Sequence, residues 1–242
     1  MTGPTAVAAS VSEVAVSEAA GVSEAVSEVS EVAAGVTVLV AAAGPDARRS
    51  VRALLLEAAA DTLGVPRAGL RIAREPGGRP VLAGTGEGAD RPLHIALSHG
   101  RDTVAAALTR LGPVGVDVEH IRPLPAAALA RRWFDPAEAE WLEGQPGPEQ
   151  PTAFLRLWVQ KEALGKALGT GLRGGGMRRR VLPLGTPPTG LLAPLPTRPD
   201  LALCLPQAPP GLCLAVGVWS PGAAGAPATV VAPGTPPSPT RT

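Results

Sequence analysis

WVQKEALGKALG, residues 158–169, is the stretch around which the rest of the chain is interpreted. Read as a helix, it places Trp158, Glu162 and Lys166 four residues apart, and therefore on one face. The chain has 22 lysines and arginines, but its only two lysines, Lys161 and Lys166, both fall here. Arginine keeps its proton in a protein, whereas lysine can be tuned to release it and its compact ammonium suits a phosphate. The stretch therefore predicts a chemical site on a helix.

A second stretch, GVDVE at residues 115–119, has the alternation of a short strand. Asp117 and Glu119 share one face, and side chains two apart on a strand lie roughly 6.5 Å apart at the backbone, so both could reach one cation. With Glu162 they would supply three hard oxygen ligands, which suit Mg²⁺, with Mn²⁺ as a substitute, and leave room for water and phosphate. Either stretch alone favours solvated acids and a simple Glu–Lys pair. The two together favour a metal site.

These residues also carry a family resemblance. GVDVE and WVQKEALGKALGTGL, residues 158–172, resemble the two signature motifs of the 4′-phosphopantetheinyl transferases of the larger, monomeric surfactin-synthetase-activating type. Further matching stretches, in the same order and spacing, are GRPVL at 78–82, LSHG at 97–100 and WFDPAE at 133–138. The resemblance covers about residues 36–219. One D-x-E pattern is common, whereas five motifs in register are specific.

The resemblance implies an α+β fold of two pseudo-symmetric halves, each a small, mainly antiparallel sheet packed with a helix, with a coenzyme A cleft between them. Residues that match the family's coenzyme-binding positions are Arg49, Arg79, Pro80, Ser98, His99, Lys161 and Lys166. The family often has Phe-Asn where this chain has Ile95-Ala96, which changes the local hydrogen bonding but leaves Ser98 and His99 in place.

The activity implied by the resemblance is Mg²⁺-dependent transfer of 4′-phosphopantetheine from coenzyme A to a serine of an apo acyl or peptidyl carrier protein, with release of 3′,5′-ADP. The implied metal ligands are Asp117, Glu119 and Glu162. Glu162 is also expected to act as the base for the incoming serine and Lys166 to stabilise the leaving phosphate. Lys161 is expected to support the charge of the coenzyme or to orient the helix.

Two other functions use similar residues. A catalytically silent homologue would only bind carrier domains, although the intact acids and both lysines argue against it. A Mg²⁺-dependent nucleotide phosphohydrolase would release products from coenzyme A without a carrier. The sequence does not say whether a carrier from polyketide, nonribosomal peptide or fatty acid synthesis would be served.

The composition restricts the expected binding partners and cellular location of the protein. The net charge of +1 and the 2% aromatic content give no argument for nucleic acid or an anionic membrane. The only cysteines, Cys204 and Cys213, fit no metal spacing and are expected to be reduced thiols. With neither a secretory signal nor a membrane-spanning run apparent, we expect a cytoplasmic protein. The family resemblance implies a monomer.

Composition also divides the chain. Residues 1–35 repeat Val-Ser-Glu at irregular spacing and predict a disordered leader, while the Pro- and Ala-rich residues 220–242 predict a disordered tail. Between them we expect an N-terminal half, 36–112, and a C-terminal half, 113–219, that carries the metal site. The arginine-rich segment 173–180 is expected to be a flexible loop that is either solvated or contacts a carrier or a phosphate.

Local signals predict several helix boundaries. Asp46 and Gly64 bracket a helix over 47–63. Asp135-Pro136 with Glu138 predicts a capping box, which already gives Glu138 a structural role. Thr152 is expected to cap the long helix that runs through Leu168. Trp133, Phe134 and Trp141 are expected in the core.

Overall fold

The computed structural model describes residues 35–84, 92–173, 175–186 and 189–232. The predicted leader therefore lies, except for its last residue, outside the described residues. The helices are α1 (Ala47–Leu63), α2 (Ala126–Trp133), α3 (Pro136–Glu143) and α4 (Gln150–Ala167). The strands are β1 (Val36–Ala42), β2 (Arg71–Arg74), β3 (Pro80–Ala83), β4 (His94–His99), β5 (Thr103–Thr109), β6 (Val114–His120), β7 (Ala193–Leu195), β8 (Arg198–Cys204), β9 (Leu212–Trp219) and β10 (Ala228–Val231).

The first half is a sheet covered by one helix. Its strand order is β10-β1-β5-β4, with β5 antiparallel to both of its neighbours. Helix α1 begins where Asp46 accepts a hydrogen bond from the Arg49 amide and ends at Gly64, whose φ of 65° favours glycine. Its apolar stripe, including Leu55 and Ala58, packs on Leu39 and other residues of the sheet. The hairpin β2–β3 lies beside this unit.

The second half repeats this plan with an antiparallel sheet of order β6-β9-β8-β7. Helix α4 packs on β6 and β9, while α2 and α3 pack at its side. Residues such as Phe154 and Leu164 of α4 share one core with Leu203 and Ala215 of the sheet.

The two sheets pack face to face and join the halves. Alternate residues of β1, such as Val38, meet Val116 and Val216 of the second sheet, whereas Leu39 faces α1. This follows from the two-residue period of a strand. The layers are thus helix, sheet, sheet, helix, and the predicted α+β fold of two halves is confirmed.

The end of the described chain returns to the first half. Strand β10 pairs in parallel with β1, and the Val36 amide donates to the Pro227 carbonyl at 2.8 Å. On its way the segment 223–228 also bonds Gly190 and Leu192 of the second half. The prediction of a disordered tail is therefore wrong for residues 220–232, because backbone hydrogen bonds at a sheet edge need no apolar sequence pattern. Residues 233–242 lie outside the described residues.

Two smaller predictions were also wrong and one is confirmed. The long helix begins at Gln150, directly after a 3₁₀ turn, so Thr152 lies inside its first turn and does not cap it. Trp133 is 43% exposed and not part of the core. The capping box of Asp135 and Glu138 is present. No helix within the described ranges is long and apolar enough to cross a bilayer.

Candidate active site at the junction of the two halves

The site exists because α4 lies unusually close to β6. A Cβ built on Gly115 would sit 1.9 Å from the Ala163 carbonyl oxygen and 2.7 Å from the Ala167 amide nitrogen. A Cβ on Gly217 of the neighbouring strand would also meet α4, 3.2 Å from Leu164. The glycine of GVDVE therefore lets the helix rest on the strand.

Lys166 and Asp117 meet across this contact. The Lys166 Nζ donates to Asp117 Oδ1 at 2.8 Å and to the Val116 carbonyl at 2.9 Å. The buried Ser98 hydroxyl, at the end of β4, donates to the same carboxylate oxygen at 2.8 Å. Residues from both halves therefore converge on Asp117, and each charge is partnered in a partly buried site.

The three predicted carboxylates share one electrostatic environment. Burial raises the pKa of Glu162, the negative charges of Asp117 and Glu119 raise it further, and Lys166 opposes them. Glu119 accepts a hydrogen bond from Arg122 at 2.7 Å. Carboxylates that repel one another are the donor set that a divalent cation stabilises, so their chemistry fits Mg²⁺. In the described residues, however, no three potential ligands are already grouped as a metal site.

A cavity of about 250 Å³ opens between the halves beside Lys166. Arg79 and Pro80 line it from the first half, and Gly165 and Gly169 from the second. Arg79 spans the gap, since its Nη1 donates to the Ala167 carbonyl at 3.0 Å while its Nε pairs with Glu75 at 2.9 Å. A second cavity of about 220 Å³ shares Arg79 and Pro80 and extends the same cleft.

The remaining predicted coenzyme residues are not all brought to this cavity. Ser98 reaches the acidic site through Asp117. His99, the next residue, is exposed at the end of β4. Arg49 is exposed in the first turn of α1 and does not line the cavity of Lys166. The roles of His99 and Arg49 in coenzyme binding therefore remain predictions.

Lys161 lies on a different face of α4 and is 0% exposed. Its Nζ donates to both oxygens of Glu138, at 2.8 and 2.7 Å, and to the Arg179 carbonyl at 2.6 Å. Burial lowers the pKa of Lys161 and raises that of Glu138, while each partner's charge acts in the opposite direction. The structure brings Lys161 to Glu138 and not to the cavity beside Lys166, so its direct role in catalysis and coenzyme binding stays a prediction. Orientation of the helix, the other expected role, is compatible with it.

The arginine-rich segment is also more ordered than expected. It contains a 3₁₀ turn, Gly176–Arg178, with Met177 buried. Arg178 and Arg180 are exposed, whereas Arg179 is held through its carbonyl by Lys161.

Sequence reasoning missed a polar cluster near the acids. His120, which follows Glu119, contacts Asp102 and lies 2.9 Å from the Thr103 hydroxyl. Asp102 lies in the turn between β4 and β5, and Thr103 is the first residue of β5, so this cluster also joins the two halves. No local motif indicates it, because the partners come from separate strands.

A known protein family matches the part of the chain that carries the acids and the lysines. A family model described as the 4′-phosphopantetheinyl transferase superfamily matches residues 113–187, which include GVDVE, both lysines and Glu162. The match covers less than half of the chain, and within those residues the chain is similar to this superfamily.

Individual relatives agree. The chain is 33% identical over 111 residues to the 4′-phosphopantetheinyl transferase HetI of a Nostoc species, covering 46% of each chain. It is 33% identical over 129 residues to the 4′-phosphopantetheinyl transferase psf-1 of Bacillus pumilus, covering 52% of each. It is 38% identical over 93 residues to the 4′-phosphopantetheinyl transferase AcpT of Salmonella typhimurium, covering 38% of this chain and 46% of AcpT. The chain thus spans about half the length of the curated relatives it matches.

Proposed function

We propose that this protein transfers 4′-phosphopantetheine from coenzyme A to a serine hydroxyl of an apo carrier protein and releases 3′,5′-ADP. The observation that carries the proposal is Lys166, which lines the cleft between the halves while it is held by Asp117 and the Val116 carbonyl. A fixed ammonium beside a cleft of this kind suits a diphosphate.

In the proposed reaction the serine oxygen attacks the phosphorus that carries pantetheine. The bond from that phosphorus to the bridging oxygen breaks, and the electron pair leaves with 3′,5′-ADP. Glu162 accepts the serine proton, directly or through water, since its raised pKa brings it nearer to neutral pH. Lys166 stabilises the charge that develops on the leaving phosphate.

The coenzyme is proposed to lie along the cleft, with Arg79 and Pro80 beside its nucleotide. Arg79 already bonds the second half at the Ala167 carbonyl, so a bound phosphate would find its guanidinium in place. Ser98 holds Asp117 rather than the coenzyme in this structure. Its proposed role is therefore to fix the acid, while His99 and Arg49 are proposed to contact phosphates.

Asp117, Glu119 and Glu162 are proposed to hold Mg²⁺, with Mn²⁺ as a substitute. The ion would neutralise charge on the diphosphate. Since Lys166 and Arg122 now bond two of these acids, we expect Mg²⁺ to compete with both cations.

A direct test incubates the protein with Mg²⁺ and coenzyme A, with and without apo carriers from polyketide, nonribosomal peptide and fatty acid synthesis. Intact mass reports pantetheine transfer, and chromatography reports 3′,5′-ADP. Product release without a carrier would indicate a phosphohydrolase, and no reaction would indicate a silent carrier-binding homologue. Asp117→Ala and Lys166→Ala should abolish transfer, whereas Arg71→Ala, an exposed position on β2, should not.

We also propose that the protein acts in the cytoplasm as a monomer. One chain already supplies residues from both halves to the cleft, which supports the monomer. Light scattering with coenzyme A present tests the monomer, and a dimer that assembles on binding would contradict it.

A further inference from the structure

Lys161 and Glu138 form an ion pair inside the hydrophobic core, where packing alone does not require charged side chains. It is completely buried beneath α4, and the Lys161 ammonium also lies 4.9 Å from the centre of the Phe134 ring. A buried ion pair adds little net stability, because the cost of removing both charges from water offsets their attraction. Apolar side chains of similar size would fill the same space. The pair therefore calls for another explanation.

The bonds of this pair join three segments. Glu138 belongs to the first turn of α3, where its carboxylate also accepts from the Asp135 amide at 3.2 Å. Lys161 belongs to α4, and Arg179 to the segment that follows that helix. Charge-assisted bonds are short and directional, so these three contacts restrict rotation of α4 more than apolar packing would.

Rotation of α4 matters for the proposed reaction. On the same helix, Glu162 lies one residue after Lys161 and Lys166 lies five residues after Lys161. Rotating a helix by about 20° moves its Cβ atoms by roughly 1 Å. A misplacement of that size can reduce a catalysed rate by about 10²-fold.

We infer that Lys161 and Glu138 are positioning residues, whose buried bonds fix the rotation of α4 and thereby place Glu162 and Lys166 against Asp117. The inference rests on the proposed transferase function. It assigns the two lysines of the chain different duties: Lys166 acts at the cleft, and Lys161 holds the helix that carries it.

The test replaces both partners, so that no charge is left buried alone. In Lys161→Met with Glu138→Leu, kcat for carrier modification should fall about 10- to 100-fold, while the KM for coenzyme A changes less than about twofold. Loss of the ion pair itself should change the free energy of unfolding little, whereas the Asp135 amide and the Arg179 carbonyl lose their partners and should lower it. Amide hydrogen exchange of residues 162–167 should accelerate. Should the double variant not fold, Glu138→Gln, which keeps one acceptor oxygen for Lys161, should show a smaller fall in kcat.

Val159→Ala provides the control. Val159 is buried in the same helix but outside the polar network, so the variant loses stability through a cavity and should keep its kcat. An unchanged kcat in the double variant would overturn the inference, as would an equal loss in Val159→Ala. A raised KM for coenzyme A with unchanged kcat would instead return Lys161 to the coenzyme site. If the wild type transfers nothing, the proposed function fails, and hydrogen exchange still decides whether the pair restrains α4.

Discussion

Gly115→Ala is the most direct perturbation of the candidate site, because it acts on the contact that brings α4 to β6. The new Cβ would lie 1.9 Å from the Ala163 carbonyl oxygen, whereas ordinary contacts begin near 3.4 Å. The obstructing atoms are backbone atoms and cannot rotate away, so the helix must move by about 1.5 Å. We expect a loss of roughly 1–3 kcal/mol in the free energy of unfolding, as for other overpacked cores.

The same shift separates Lys166 from Asp117, so the rate of carrier modification should fall by about 10²-fold. Denaturant unfolding and intact-mass kinetics measure the two effects. Gly147→Ala is the matched control, since its Cβ would have no heavy atom within 4 Å. A Gly115→Ala protein with wild-type stability and rate would show that this close approach does not create the site.

Three further predictions concern other parts of the molecule. Glu162→Gln should raise the free energy of unfolding at pH 7. Because the folded protein raises the pKa of Glu162 above its ordinary 4.5, the favourable contribution of this residue to folding stability is complete below pH 4.5 and is lost as the pH rises through the raised pKa. In denaturation experiments below pH 4.5 the variant should gain no stability over the wild type, and a gain that persists there would contradict this reasoning. Cys204 and Cys213 should resist thiol reagents until the protein unfolds, since burial raises their pKa values to about 12 and about 11; rapid labelling of the native protein would be the contrary result. Gly35→Val should cost roughly 1–3 kcal/mol in denaturant unfolding, because a Cβ there would lie 2.5 Å from the Pro227 carbonyl oxygen, and wild-type stability would show that β10 is dispensable.

Much of the fold followed from short-range signals. Helix α1 begins and ends where Asp46 and Gly64 predict, because a capping side chain and a left-handed glycine act locally. The alternation in GVDVE predicts a strand with Asp117 and Glu119 on one face. In the structure Val116 packs toward the other sheet, and Asp117 bonds Lys166 of α4. These outcomes depend on one strand or one helix turn and need no knowledge of distant partners.

Other features could not be predicted from the sequence, because they depend on how separate segments pack or begin. The sequence gives no sign that Lys161 and Lys166 have different surroundings. Lys161 is enclosed only because α3 and the segment after α4 pack around it. Strand β10 contains the β-branched residues Thr229, Val230 and Val231, but this short run lies in a Pro-, Ala- and Gly-rich segment, and only its pairing with the distant β1 makes it a strand. Thr152 is a good cap residue, but the helix already begins at Gln150, directly after a 3₁₀ turn, so Thr152 lies inside it. Contacts between distant segments decide the first two outcomes, and the turn directly before the helix decides the third.

The parallel pairing of β1 with β10 has a consequence for biosynthesis. During translation β1 emerges early, whereas the strand that covers its edge emerges only after both helix-covered sheets have been made. Until then the nascent chain presents an uncovered row of amide and carbonyl groups, which is the kind of edge that promotes aggregation. A ribosome product that stops short of residue 228 would keep that edge permanently, so its yield of soluble material should depend on chaperones more than that of the full chain.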